Sequence, residues 1–222
     1  MSANPTFIYE PPMDPYLDII YQDEDIVVLN KQSDLLSVTG RLPEHQDCLQ
    51  TRVCRVFPTA TIVHRLDMAT SGIIIMALNK PSHVAISRQF EQRQTEKYYI
   101  ARVLGHIKEP TGEITLPLIC DWPNRPMQMV CYERGKQAQT HYQVLSQDEH
   151  TTLVKLKPVT GRTHQLRVHM RELGHPIIGD RLYAPIEATE GRERMCLHSQ
   201  FYAIFHPRTG KRIEFNADCP FT

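Results

Sequence analysis

His64-Arg65-Leu66-Asp67-Met68-Ala69-Thr70-Ser71-Gly72 runs directly into Ile73-Ile74-Ile75-Met76-Ala77. The apolar, largely β-branched tail reads as a buried strand, and the small residues Ser71 and Gly72 allow a tight backbone turn just before it. That reading places the Asp67 carboxylate at the lip of a sheet, rigidly held and reachable. An arginine two residues away favours the ionised form of the carboxylate. An isolated aspartate at such a place is most often a turn cap, so its surroundings must decide whether it does chemistry.

Outward from this stretch the pattern is that of an α+β protein on a mostly antiparallel sheet. Leu17–Tyr21 and Ile26–Asn30 read as strands around the acidic turn 22–25. Leu49, Val53, Val56 and Phe57 recur at helical spacing, with Asp47 as the expected cap and Pro58 as the stop. Pro81 opens a second helix, expected to carry Val84, Ala85 and Phe90. A β-rich stretch follows: Lys97–Ile107, Gly112–Pro117, Met127–Tyr132, Gln137–Leu145 and Thr152–Lys157, separated by polar or glycine-containing turns. Gly161-Arg162-Thr163 starts a third helix with Leu166, Met170 and Leu173 on one face and Gly174 as its left-handed cap. Strands at Leu197–Phe205 and Arg212–Asn216 close the chain. The proline-rich residues 1–16 are expected to form an extended arm, and 17–222 a single catalytic domain.

The 222 residues suffice to bury a substantial core, and no apolar run approaches the roughly 20 residues that span a bilayer. Residues 1–13 show no basic segment followed by an apolar stretch, which argues against a signal peptide. The six cysteines lack metal-type pairing and are expected to be reduced thiols, which points to a cytoplasmic protein. Lys plus Arg and Asp plus Glu both number 25, so the formal charge is zero. Six of the acidic residues fall within positions 1–30, which hold no Lys or Arg, so the remainder carries a net charge of +6. That distribution permits a positive face for a polyanionic partner without demanding one.

Several further stretches decide the matter. These are Glu96-Lys97-Tyr98-Tyr99-Ile100-Ala101-Arg102-Val103, Gly161-Arg162-Thr163-His164-Gln165-Leu166-Arg167-Val168-His169, Gly174-His175-Pro176-Ile177-Ile178-Gly179-Asp180 and Leu197–His206. Together with the opening stretch, and in this order, they resemble the RluA-type pseudouridine synthases over nearly the whole chain. The run from Leu116 to Pro126 is similar to the member of that family that modifies both large-subunit ribosomal RNA and tRNA.

The resemblance implies a pseudouridine synthase-like catalytic domain that needs no cofactor and no metal. It implies that Asp67 is the nucleophile, attacking either C6 of the uracil or C1′ of the ribose. It gives Tyr99 the role of the ring that stacks on the uracil and acts in proton transfer, and Arg167 that of the cation paired with Asp67. Strand alternation sends Tyr98 and Tyr99 to opposite faces, so one of the two is expected merely to pack. Arg65 is implied to fill the place of the flipped nucleotide or to hold it; the plainer alternative is an arginine that braces its own loop. Leu166 and Arg162 are counted with the substrate-binding residues. Arg162, Lys155 and Lys157 would meet phosphates, with a solvated basic face an equal reading. The expected partner is RNA, as stem-loops of large-subunit ribosomal RNA and tRNA, acted on by a monomer with no separate amino-terminal RNA-binding module.

Rival readings find less support. The spacing of His164, His169 and His175 matches no zinc motif. His-Arg-Leu-Asp is close to the protein-kinase loop, but no glycine-rich phosphate loop or Asp-Phe-Gly accompanies it. A non-catalytic RNA binder would have no use for Asp67, Tyr99 and Arg167 together.

Overall fold

A computed structural model describes residues 8–222. The chain divides into two units, Ile8–Lys97 with His198–Cys219, and Tyr98–Leu197 with Pro220–Thr222. In chain order, the first unit holds β1 (Ile19–Gln22), β2 (Ile26–Lys31), α1 (Leu49–Val56), β3 (Thr61–Ile62), β4 (Ser71–Ala77) and α2 (Lys80–Glu91). Apart from its first two residues, β5 (Glu96–Leu104) belongs to the second unit. That unit continues with β6 (Thr111–Thr115), β7 (Leu118–Cys120), β8 (Gln128–Val130), β9 (Gln139–Gln147), β10 (Thr151–Pro158) and α3 (Gln165–Glu172). The chain then returns to the first unit in β11 (Leu197–Phe205) and β12 (Arg212–Asn216).

Strands of the first unit run in the order β1-β2-β4-β11, with β12 on β11 and β3 on β4. Those of the second run β5-β10-β9-β6, and β7-β8 form a two-stranded sheet of their own. Among the pairings within either unit only β4–β11 is parallel. The α+β, mostly antiparallel architecture is the one expected.

All seven residues of β4 are buried, because it has β2 on one edge, β3 and β11 on the other, and apolar side chains over both faces. Ile73 and Ile75 join Ile26, Val28, Ile86, Tyr202 and Ile204 in one core cluster, each such side chain worth about 2 kcal/mol of burial. The strand begins at Ser71, so Ser71 and Gly72 lie inside it rather than in a turn before it. Gly72 is needed for another reason. Its φ is +108°, and a Cβ there would sit 2.3 Å from the Ser199 carbonyl oxygen of β11. Parallel strands come this close only because the side chain is missing.

Helix caps depart from the expectation. Cys48, not Asp47, caps α1: its sulfur accepts from the Thr51 N–H at 3.5 Å while Thr51 Oγ1 accepts from the Cys48 N–H at 3.0 Å. The Asp47 carboxylate instead grips Arg52 through two bonds of 2.8 and 2.6 Å. Arg52, fully buried, also donates to the Pro12 carbonyl at 2.8 Å and stacks over the Tyr16 ring at 4.7 Å. This holds residues 8–16, which form no helix or strand, against the first unit; the rest of the expected arm, residues 1–7, lies outside the described residues. In α2, capped by Asn79, the packed positions are Ser82, Ile86 and Gln89, and Val84 points to solvent. The six cysteines are free thiols, two of them buried.

Helix α3 ends as expected. Gly174 has a φ of +90°, its N–H donates to the Arg171 carbonyl, and the His175 N–H donates to the Met170 carbonyl. Those two bonds satisfy carbonyls that the last helical turn leaves open.

Replacing Gly72 with Ala is expected to cost about 3 kcal/mol, combining left-handed strain with a backbone clash. Urea unfolding of wild type and Gly72→Ala measures it; a difference below about 1 kcal/mol would show that β4 and β11 separate easily.

Candidate active site

The segment 64–71 carries almost no regular structure of its own, so its shape is imposed from outside. Lys31, at the end of β2 and 1% exposed, supplies the central clamp. Its ammonium donates to the carbonyls of Gln32 at 2.7 Å, Leu35 at 2.7 Å and Met68 at 2.9 Å. An ammonium has three protons, and here each meets a carbonyl. Ser37 holds Leu66 from both sides, donating to its carbonyl at 2.7 Å and accepting from its N–H at 3.2 Å. Ser33 Oγ donates to the Ala69 carbonyl at 2.8 Å, and the Thr70 N–H closes a turn on the Asp67 carbonyl at 3.1 Å.

His64 fixes the start of the segment. Its Nε2 accepts from the Ile75 N–H at 3.0 Å, which requires a neutral ring. Desolvation between the rings of Phe90 and Tyr202, and then the Lys97 ammonium, push its pKa down to about 3, even though part of the ring stays accessible. At the other end Ser71 Oγ donates to His198 Nδ1 at 2.8 Å, and His198 Nε2 donates to the Ala217 carbonyl at 3.1 Å. Four backbone groups on either side of Asp67, the N–H and carbonyl of Leu66 and the carbonyls of Met68 and Ala69, are thus fixed by side chains outside the segment. Asp67 itself is half-buried and Arg65 exposed. Arg65 makes no hydrogen bond or ion pair with the described residues, so the bracing falls to Lys31, Ser33, Ser37 and His64 instead.

In the second unit β5 separates its two tyrosines as alternation requires. Tyr99 is 9% exposed, whereas Tyr98 lies under the Lys155 ammonium, 4.0 Å from the ring centroid. Helix α3 is fastened to the sheet by polar contacts. Gln165 donates to the Gln139 carbonyl at 2.9 Å and to Thr140 Oγ1 at 3.0 Å. Thr140 in turn meets His169 Nδ1 at 2.9 Å, and His169 Nε2 donates to the Leu116 carbonyl at 3.1 Å. Burial pushes the His169 pKa down, which agrees with a neutral ring bonded at both nitrogens. Leu166 is buried in the same helix, while Arg162 is exposed and donates to the Gln137 carbonyl at 3.1 Å.

Arg167 is buried and forked onto Asp180: Nε donates to Oδ2 at 2.8 Å and a terminal nitrogen to Oδ1 at 2.7 Å. Its guanidinium also lies 5.0 Å from the Tyr183 ring centroid. Two parallel bonds hold the plane of the guanidinium as well as its position. Asp180 and Lys31 are therefore the two positioning residues that sequence reading left without a role. The signal for Lys31 was a cation closing an apolar strand; for Asp180 it was a carboxylate following the Pro176–Gly179 turn.

The three histidines considered for a metal have separate partners: His164 meets the Tyr183 hydroxyl, His169 the groups named above, and His175 the Leu104 carbonyl. Among the described residues the one cluster with metal-ligand spacing is Asp23, Asp25 and His206. It is knit into ion pairs, with His206 on Asp23 at 2.8 Å and Arg208 on Asp25 at 2.7 Å. No helix among the described residues is long and apolar enough to cross a membrane.

These features agree with comparison to known proteins. A family model described as RNA pseudouridylate synthase matches residues 25–172, and the chain belongs to this family of RNA-modifying isomerases. It is 54% identical over 214 residues to the dual-specificity RNA pseudouridine synthase RluA of Escherichia coli (strain K12), covering 96% of this chain and 98% of that protein. The RluA of Yersinia pestis is 55% identical over 204 residues, covering 91% of this chain and 99% of that one. Among solved structures, human RNA pseudouridylate synthase domain containing 1 superposes with a TM-score of 0.80 at 31% identity, over 96% of this chain and 87% of that one.

Removing Asp180 takes both bonds of the fork from the buried Arg167 guanidinium. Asp180→Ala is expected to destabilise the protein by about 3–5 kcal/mol, and Asp180→Asn by less. Chemical denaturation monitored by circular dichroism tests this; an Asp180→Ala variant within about 1 kcal/mol of wild type would mean that Arg167 does not depend on its fork.

Proposed function

We propose that the chain isomerises one uridine to pseudouridine in a stem-loop shared by large-subunit ribosomal RNA and the tRNA anticodon arm. The relatives named for dual specificity match it nearly end to end, which supports both RNA classes as substrates. The observation that carries the assignment of the nucleophile is the clamped segment around Asp67. A carboxylate that must attack one carbon atom gains most from a backbone that does not reorganise during the reaction.

In this reading the target nucleotide leaves its stack, at a cost of a few kcal/mol. Arg65, exposed and without a described partner, is suited to fill the vacated place or hold the flipped nucleotide. The Asp67 carboxylate adds to uracil C6 or to ribose C1′. The N1–C1′ bond breaks, the base rotates, and C5 joins C1′. The proton on C5 then leaves, N1 takes up a proton, and the bond to Asp67 breaks, which restores the enzyme with no net change in oxidation state and no water consumed. Tyr99 stacks on the uracil and takes part in the proton transfer. Arg167, held flat by Asp180, is the cation that acts with the Asp67 nucleophile. Leu166 and Arg162 act with them on the substrate, and no cofactor is needed.

The reaction expels the C5 hydrogen, so tritium at that position reports it. Wild type is expected to release tritium from uracil-5-labelled ribosomal RNA, from tRNA, and from a short isolated stem-loop. Asp67→Ala should release none above background while still binding RNA. Turnover near wild type in Asp67→Ala would remove Asp67 as nucleophile; release from only one RNA class would refute the shared substrate.

A further inference from the structure

The β7–β8 hairpin carries a feature that the isomerisation chemistry does not use. At its tip Trp122, the one tryptophan of the chain, is 63% exposed. The tip is closed without help from the indole. The Asp121 N–H donates to the Met127 carbonyl at 3.0 Å, the Met127 N–H to the Asn124 carbonyl at 3.0 Å and the Asn124 N–H to the Asp121 carbonyl at 3.1 Å. The Asn124 side chain adds a bond to the Asp121 carboxylate at 3.0 Å. The largest apolar ring available is thus presented to solvent on a loop that has no structural need of it.

Arg125 lies over that ring, its guanidinium carbon 4.1 Å from the centroid. A guanidinium on one face orients an indole and places a positive charge beside whatever approaches. The hairpin is also anchored. Leu118, with Met127 and Val130, packs on Val168 of α3. The Gln128 N–H donates to the Tyr183 hydroxyl at 2.7 Å, and that hydroxyl meets His164 Nδ1 at 2.7 Å. Tyr183 is the ring beside the Arg167 guanidinium. Within the second unit, the tip is therefore tied through one tyrosine to the helix that carries Arg167.

We propose that Trp122, backed by Arg125, is a stacking platform for an unpaired base of the RNA substrate. The proposal rests on the RNA-modifying function proposed above. The charge balance favours this ligand and this mode. Stacking on an aromatic face supplies affinity that does not depend on net charge, which is formally zero for this chain. The neighbouring guanidinium suits the phosphate of the stacked nucleotide. Trp122 is a binding residue and makes no bond to the reacting atoms.

Because Trp122 is the only indole, its emission reports the platform directly. The Asp67→Ala protein is titrated with the short substrate stem-loop and with a blunt duplex of equal length, while binding is followed independently by anisotropy of end-labelled RNA. The proposal expects saturable quenching by the stem-loop, with the midpoint given by anisotropy, and little quenching by the duplex. In the otherwise wild-type enzyme, Trp122→Ala should lower kcat/KM for tritium release by about tenfold, with the loss carried in KM, and Trp122→Phe should recover most of it. Binding by anisotropy with unchanged indole emission, or an unchanged KM in Trp122→Ala, would overturn the platform while leaving the isomerase reading intact. Absence of both binding and tritium release in wild type would overturn the two together.

Discussion

A lysine ammonium enclosed by protein, meeting three backbone carbonyls, is the constraint on which the rest of this site depends. Lys31 ends β2 opposite Gly72 of β4, so the register of the strand pair sets where its side chain begins. From there it reaches the carbonyls of Gln32, Leu35 and Met68. Burying a cation is costly unless each proton finds an acceptor. Here the acceptors are the loop that must be held and its neighbour, and the need to satisfy the charge therefore dictates the shape of the 64–71 segment. The glycine opposite matters equally, since a side chain at 72 would push β11 away and shift the strand that anchors Ser71.

The second unit solves a similar problem, again for a buried cation, with a carboxylate as the acceptor. Arg167 must be buried and directional, and the Asp180 fork supplies both properties. Around it the Gln165–Thr140–His169–Leu116 chain of hydrogen bonds seats α3, and the glycine-capped end closes it. In both units a charged side chain is fixed by groups around it, whereas Arg65 and Trp122, two of the groups assigned to the substrate, are exposed. That division is physically sensible. Groups that hold geometry gain from low dielectric and full satisfaction, and groups that meet a polyanion must stay accessible until it arrives.

Much of the fold was legible because its signals are local. The apolar run at 73–77 could only be a buried strand, the closing strands ended where the pattern ended, and Gly174 stopped α3 as its position predicted. The departures have physical causes. Asp47 is a strong capping residue, yet Arg52 one turn on competes for its carboxylate, and the weaker Cys48 sulfur takes the cap. Val84 satisfies an apolar count but falls on the solvent side of α2 once Ile86 sets the face. Strand β7 escaped notice because its three residues give too short a period to detect. Of the site, the motif residues were legible through resemblance. Lys31 and Asp180 were not assigned roles, because the contacts that matter, to the Met68 carbonyl and to Arg167, span 37 and 13 residues and no local spacing announces them.

If Asp67 is competent because Lys31 holds its loop, replacing that lysine must slow the reaction. Lys31→Met keeps the length of the side chain and removes the three donors, leaving carbonyls unsatisfied at a cost of about 3 kcal/mol. The measurement is the single-turnover rate of tritium release from the stem-loop, at a temperature where circular dichroism shows the variant folded. The expected rate is at least about tenfold below wild type, with RNA affinity nearly unchanged. A folded Lys31→Met enzyme turning over at the wild-type rate would contradict it.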